Sequence, residues 1–430
     1  MYGKPLTDKT KEELMKDNKL LILGGKPIGS CEITKAAMEM GYYTIVADYL
    51  PVESSAAKRI SDEHWDISTA EVDEMAKRCL EENVAGVITG VNEFNIRKKI
   101  EVCEKLSLPQ YCSMKQWEFC ENKAQFKKMC EKHGIPVART YSKDDEIDFP
   151  VIVKPVDSSG SRGFSVCHNR QELDNAIELA LNFSASKEYL IEEYIQCEAT
   201  IIHYTAVEGE IIFSGMSDKH SQTLEGGSSV MALQTFPSAS IERYLSDINA
   251  KAINMFKDLG AKNGPIWIEA FNDEKTGRFI FNEMGYRFGG SLTNYPVKHF
   301  YGIDQVDLLL KNAMGEKCSF EKPEGFIPET EKYCILPIHL KPGTIHKIEG
   351  VDKSEAIDGV VKVVLVHFEG DEIQDWGTAQ QVFCYLHVAY NTDEELSRLI
   401  RSVKDELSVK DTDNNEMLFF LFDLKKLGVE

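Results

Sequence analysis

The sequence predicts a three-part chain in which an α/β part is followed by α+β parts. Three observations carry this. Strand and helix patterns alternate from Leu20 to about residue 113, as in a parallel sheet flanked by helices. A helix, paired strands and a glycine/serine loop follow to about residue 312. Beyond residue 313 strands dominate, with the one helical stretch TDEELSRLIRSVKDELS. For 430 residues, about three domains of ~150 residues are expected. The bounds are drawn at 1–113, 114–312 and 313–430.

Taken in order, KLLIL is a buried strand, and GGKPIGS is a glycine turn before the helical pattern CEITKAAMEMG. That turn lacks the GxGxxG spacing of a dinucleotide fold, so a dehydrogenase finds no support. TIVADYL is a second strand, and EVDEMAKRCLEENVAGVITGV adds a helix and another strand. The next helix, NKAQFKKMCEKHG, stops at His-Gly-Ile-Pro. FPVIVKPV and FSVCHN pair around DSSGSRG, and Asn169 with Glu172 caps the helix QELDNAIELALNF. Strands EYLIEEYI, ATIIHYTAV and EIIFSGMSD come next. HSQTLEGGSS then reads as a polar loop long enough to move, and IERYLSDINAKAINMFKDLG as one amphipathic helix. KYCILPIHL, GTIHKI, VVKVVLVHFEG and VFCYLHVAY supply the strands of the last part.

The chain has 49 basic and 70 acidic residues, a net charge of −21 that argues against a nucleic-acid groove. A phosphate ligand held by local lysines stays compatible with that balance. MYGKPLTDKTKEELMKDNK lacks the apolar stretch of a signal peptide, and no run nears the ~18 apolar residues of a membrane span. Eleven scattered cysteines without a CxxC pair read as reduced thiols, so a cytoplasmic protein with no membrane partner is expected.

The chemistry centres on IWIEAFNDEKTGRFIFNEMGYRFGG, two strand-like runs joined by a turn. With the hairpin centred near Thr276, Glu269 faces Glu283 and Phe271 faces Phe281. Trp267 and Phe271 share the face of Glu269, and Phe281 that of Glu283. Opposed like charges are destabilising, and a divalent cation is their natural partner, since Mg²⁺ takes one or two carboxylates together with substrate phosphates. The alternative is a different register, with one carboxylate in solvent. Arg287 either pairs with these acids or offers its planar fork to a phosphoryl group.

Lys154 lies on a strand leading into the glycine/serine loop, whose amides and hydroxyls suit phosphate oxygens although no Walker A pattern is present. An ordinary hairpin loop with a solvated lysine is the alternative. Lys123 opens a helix against its dipole, either as a phosphate group's partner or as a plain surface lysine. Glu192, Glu193 and Glu198 read by default as a solvated edge. Asp218, Lys219, His203 and His220 are candidates for touching substrate, with no catalytic role assigned to either histidine.

Together these stretches resemble the ATP-grasp superfamily, through NKAQFKKMCEKHGIPVART, FPVIVKPVDSSGSRGFSV, LIEEYIQCE and FNEMGYRFGGS in family order. The resemblance implies an ATP-grasp architecture: an N-terminal Rossmann-like (pre-ATP-grasp) domain, a central nucleotide-binding domain and a C-terminal strand-rich domain. It implies that Lys123 and Lys154 contact ATP phosphates under the 157–163 loop, including Ser158, Ser159, Gly160, Ser161 and Gly163. Glu192, Glu193 and Ile195 would line the adenine hinge, the latter two through backbone groups, and Glu198 would hold the ribose. Glu269 and Glu283 would ligate Mg²⁺ or Mn²⁺, and Arg287 would stabilise the transferring phosphate. The family usually has Asn two residues after the second glutamate, where this chain has Gly285. The implied activity joins a carboxylate to an amine through an acyl-phosphate, releasing ADP. The alternative is an ATP-binding module without ligase activity. The C-terminal stretch with LPIHLKPGTIHKI is similar to the last domain of L-amino-acid ligases and biotin carboxylases. There is a general likeness to the carbamoyl-phosphate synthase large subunit, and a homodimer is among the expected partners.

Overall fold

The structure is a computed structural model that describes residues 18–422 except 27, 158–162, 224–228, 275, 321–324, 326, 327, 329, 376 and 378. Its first unit is a parallel sheet of β1 (Lys19–Leu23), β2 (Tyr43–Ala47), β3 (Glu63–Trp65) and β4 (Gly86–Thr89), in the order β3-β2-β1-β4. Helices Ser30–Glu39, Val72–Glu81 and Glu93–Leu106 alternate with the strands. β1 is apolar without alternation because both of its faces are covered. Leu20 and Ile22 enter one core, Leu21 and Leu23 the other. The glycine turn has a packing cause: a Cβ on Gly25 would lie 2.0 Å from Ser55 Oγ.

A small antiparallel sheet follows, made of β5 (Thr140–Tyr141), β6 (Val151–Pro155), β7 (Ser165–Cys167) and β8 (Tyr189–Glu193) in the order β5-β8-β6-β7. Helix Arg170–Phe183 closes its apolar face, and Asn169 caps that helix by accepting from Glu172 N.

The largest sheet takes β9 (Ala199–Val207), β10 (Glu210–Thr223), β11 (Ser229–Phe236), β12 (Gly264–Asp273) and β13 (Arg278–Gly285) from the middle of the chain. The rest of the chain supplies β14 (Lys332–Leu340), β15 (Gly343–Glu349), β16 (Val360–Leu365), β17 (Glu372–Ile373), β18 (Val382–Tyr390), β19 (Ser408–Asp411) and β20 (Leu418–Phe419). The order β13-β12-β9-β10-β11-β14-β18-β16, with β20 on β14, makes one sheet cross the 312/313 bound. β15, β17 and β19 form a separate three-stranded sheet, β17-β15-β19. Helix Gln305–Ala313 returns to the first unit, where a Cβ on Gly86 would lie 2.4 Å from Ala313 O.

Three expectations need correction. The helix drawn over 241–260 is two, Ile241–Asp247 and Asn249–Leu259, broken at buried Ile248. The break lets the Asn249 carboxamide accept from Tyr204 Oη at 2.8 Å, which satisfies a fully buried tyrosine. The loop drawn over 220–229 begins later, because β10 continues through His220 to Thr223 on the ladder with β11. There the backbone pairing overrides the polar composition; residues 224–228 lie outside the described ones. In the hairpin, Glu269 does face Glu283, but Phe271 faces Ile280 and Phe281 faces Ala270. Asn282 is an extra residue, a bulge that slips the register by one and turns Phe281 into the core against Phe126.

Candidate functional site

The small sheet stands over the cleft-facing side of the large sheet, and a cavity of about 510 Å³ lies between them. Lys123, Lys154, Glu192, Glu193, Ile195 and Glu198 line it. So do Glu269, Glu283 and Lys219. Arg287 lines an adjoining cavity of about 150 Å³, with Lys123 and Glu283 on the walls of both. Ser158, Ser159, Gly160 and Ser161 lie outside the described residues. The ends of their loop are fixed. Asp157 accepts from Ser184 Oγ and Ser186 N, both at 2.8 Å. Gly163 turns at φ +74, where a Cβ would meet Phe183 at 2.7 Å.

The two glutamates sit on adjacent strands because β12 and β13 pair in that register. The Asn282 bulge adds a third polar side chain beside them. Asn282 Nδ2 donates to Glu269 Oε1 at 2.9 Å, and Lys154 Nζ donates to Asn282 Oδ1 at 2.9 Å. Lys219, from β10, donates to Glu269 Oε2 at 2.7 Å. Burial opposes ionisation of Glu269, but the Lys219 ammonium outweighs it and holds the carboxyl below its ordinary value. The same pairing raises the Lys219 ammonium. Lys123 Nζ stands 3.7 Å from Glu283 Oε2.

The default of a solvated edge for Glu192 is overturned: it is 2% exposed. Its Oε2 pairs with Lys154 Nζ at 2.8 Å, and its Oε1 with Lys127, a residue the sequence reading passed over. Burial works against the charged carboxylate, yet the two ammonium groups prevail and keep its pKa below the ordinary value. Glu193 stays at the rim, accepting from Arg139 N at 3.0 Å. Glu198 meets His220 Nδ1 at 3.0 Å. Asp218 is engaged by the turn after β11, accepting from Ser238 Oγ and Ala239 N. His203 is buried against Phe236, and burial lowers its pKa to about 3, so it is a neutral core residue.

Arg287 is oriented from three directions. Its Nη2 donates to Glu93 Oε1 at 2.8 Å, its Nη1 to Phe288 O at 2.7 Å, and its plane lies 5.2 Å over the Trp267 ring. Glu93 opens helix Glu93–Leu106 behind the Asn92 cap, so the first unit reaches into the site. Trp267 also explains Gly285, since a Cβ there would lie 2.3 Å from the indole Nε1. Two signals were present for what the sequence reading passed over: Lys127 falls one helical turn after Lys123, and Asn282 is a lone carboxamide in an apolar strand.

Two opposed carboxylates, already balanced by an ammonium and a carboxamide, form an oxygen-donor set that suits Mg²⁺ or Mn²⁺ bound jointly with phosphate oxygens. Among the described residues no cluster of three or more His, Cys, Asp or Glu stands as a metal cage. The shared-ligand arrangement is the one the site fits.

The cleft between the two antiparallel sheets thus has lysines on one wall and paired carboxylates on the other. Residues 147–295 match the ATP-grasp domain family. The chain is 20% identical over 314 residues to the L-arginine-specific L-amino acid ligase of Bacillus subtilis, covering 70% of this chain and 74% of that protein. It is 23% identical over 244 residues to dapdiamide A synthase of Enterobacter agglomerans, covering 53% and 54%. Across three of the curated relatives it matches, the chain spans 66%, 54% and 61% of their length. The L-amino acid ligase from Bacillus licheniformis superposes with a TM-score of 0.71 at 20% identity, covering 92% and 99% of the two chains. Biotin carboxylase of Campylobacter jejuni, in complex with β,γ-ATP, gives 0.76 at 17%, covering 96% and 95%. These likenesses show the fold. Residues 147–295 are the part of the chain that matches the ATP-grasp domain.

Proposed function

We propose that this chain is an ATP-dependent, ADP-forming ligase that joins a carboxylate to an amine through an acyl-phosphate. The observation that carries the reading is the Glu269/Glu283 pair, in register at the floor of a cavity that Lys123 and Lys154 also line. In this reading Lys123 and Lys154 neutralise and orient the ATP phosphates. Glu193 and Ile195 present backbone groups to the adenine, and Glu198 meets the ribose at the rim. Glu269 and Glu283 hold the divalent ion, which supplies charge neutralisation at the transferring phosphoryl group. Arg287 lines the adjoining cavity beside Lys123 and Glu283, and in this reading its fork stabilises the phosphoryl group as the substrate carboxylate attacks. An amine then displaces phosphate from the acyl-phosphate. Catalysis of this kind is positioning and charge stabilisation in a site from which water is excluded.

The proposal keeps 1–113, 114–312 and 313–430 as segments of the chain, with one sheet running across the last bound, and expects a homodimer and a cytoplasmic setting in keeping with eleven free cysteines. Among the described residues no helix is long and apolar enough to cross a membrane. Since two relatives are named as an L-amino acid ligase and a dapdiamide synthase, amino acids are the first acids and amines to supply. Mg-ATP with such a panel should release ADP and phosphate only when an acceptable acid is present. Glu283→Ala should lower that release on the order of 10²-fold or more. Turnover at the wild-type rate in Glu283→Ala would remove the ion from its assigned place. Tight Mg-ATP binding with no substrate-dependent ADP across a broad panel would favour the ATP-binding module instead.

A further inference from the structure

Lys127 is a buried ammonium that the proposed mechanism does not use. It lies on helix Lys123–Lys132, is 4% exposed, and is absent from the walls of the nucleotide cavity. Its partners are Glu192 Oε1 and Ala138 O, the latter at 3.3 Å. Glu192, 2% exposed, uses its other oxygen for Lys154 at 2.8 Å. The acid therefore has two counter-ions, one on each oxygen, and only Lys154 lines the cavity.

This redundancy has a consequence for Lys154. A buried carboxylate stripped of its partner is strongly destabilising, because an uncompensated charge is left out of water. If Lys154 were the sole counter-ion of Glu192, turning it to a nucleotide phosphate would incur that penalty at every binding event. With Lys127 in place, Glu192 keeps one pair and Lys154 is free to turn. The second partner of Lys154, Asn282, is a neutral carboxamide at 2.9 Å, so letting go of it leaves no bare charge behind. We infer that Lys127 is a positioning residue: it holds the charge of Glu192 so that Lys154 is released to the phosphates of the nucleotide. The inference rests on the nucleotide reading of the cavity and adds to it a residue that touches no ligand.

The test is calorimetric binding of Mg-ATP to the full-length chain as a two-by-two cycle of Lys127→Met and Glu192→Gln. Lys127→Met should weaken binding at least about tenfold, because Lys154 is then claimed by Glu192. Adding Glu192→Gln should bring affinity to within about threefold of Glu192→Gln alone, since no charge remains to hold Lys154 back. Lys127→Arg should bind nearly as wild type. A purely structural Lys127 would give a double variant as weak as Lys127→Met, and that result overturns the inference. So does Lys127→Met binding as tightly as wild type. If Lys127→Met does not fold, Lys127→Gln/Glu192→Gln is compared with Glu192→Gln alone. Equal affinities are expected, and a further loss overturns the inference. Wild-type protein that binds no Mg-ATP would overturn the nucleotide reading itself. Intact wild-type binding with a failed cycle removes Lys127 only.

Discussion

Two buried lysine–carboxylate clusters, built from the same chemistry, have opposite logic. In the parallel sheet, Lys58 is fully inaccessible and donates to Asp48 O at 2.8 Å, Leu50 O at 2.6 Å and Asp66 Oδ1 at 2.9 Å. Asp48 is equally committed, accepting from Gly25 N at 2.6 Å, Ser55 Oγ at 2.9 Å and Leu50 N at 2.8 Å. Each of three donor positions on that ammonium has an acceptor in the same unit, and neither residue lines the cleft cavity. In the cleft, Lys154 has one acid that is shared with another lysine and one neutral carboxamide, and it faces open space. A saturated cluster staples the fold. A redundantly paired one can exchange a protein partner for a ligand.

The sharpest way to break this comparison is to remove each lysine. Lys58→Met should cost about 3–5 kcal/mol of unfolding free energy in urea, because it leaves the buried Asp48 carboxylate without its counter-ion and two carbonyls without that donor. Lys154→Met should leave the urea midpoint much closer to wild type, since Glu192 keeps Lys127, while Mg-ATP affinity falls on the order of 10²-fold. Equal stability losses in the two variants would erase the distinction. A smaller effect is expected at Gly285→Ala, where the new methyl group meets the Trp267 indole. Overpacking of this kind costs about 1–3 kcal/mol in thermal unfolding, and it should lower turnover through Arg287, which lies over that ring.

A pH-dependent effect concerns buried histidines that carry no charge. Burial lowers the pKa of His203 and His387 to about 3 and of His339 to about 4 from the ordinary 6.5. Below 6.5 the unfolded chain takes up protons that the folded chain refuses, so stability falls as pH drops towards 4. Each histidine contributes up to about 1.4 kcal/mol per pH unit in that window. Urea melts at pH 7 and pH 5 should show the loss, and His203→Gln should reduce it. A flat profile in wild type would place these rings in a wetter setting than their burial indicates.

What was legible in the sequence followed from local chemistry. The unalternating apolar run of β1, the Asn169 cap and the facing of Glu269 and Glu283 all depend on neighbours along the chain or on a tight turn. What was not legible depends on partners far away in sequence. The Asn282 bulge slips the register by one residue, which a period of two cannot reveal. Arg287 meets Glu93, 194 residues earlier, and Lys127 meets Glu192, which lies on β8 of the small sheet. The break at Ile248 answers the polar demand of Tyr204, on a strand well before it. Gly285 looked like a missing ligand until Trp267 supplied a steric reason for it.

The account turns on where a divalent ion lies when nucleotide is bound. Crystals grown with Mn²⁺ and a non-hydrolysable ATP analogue settle this through anomalous scattering. The account predicts a peak between the Glu269 and Glu283 carboxylates, beside the phosphates, with Lys219 displaced from Glu269. Bound nucleotide with the ion liganded elsewhere, and Lys219 still seated on Glu269, would contradict it.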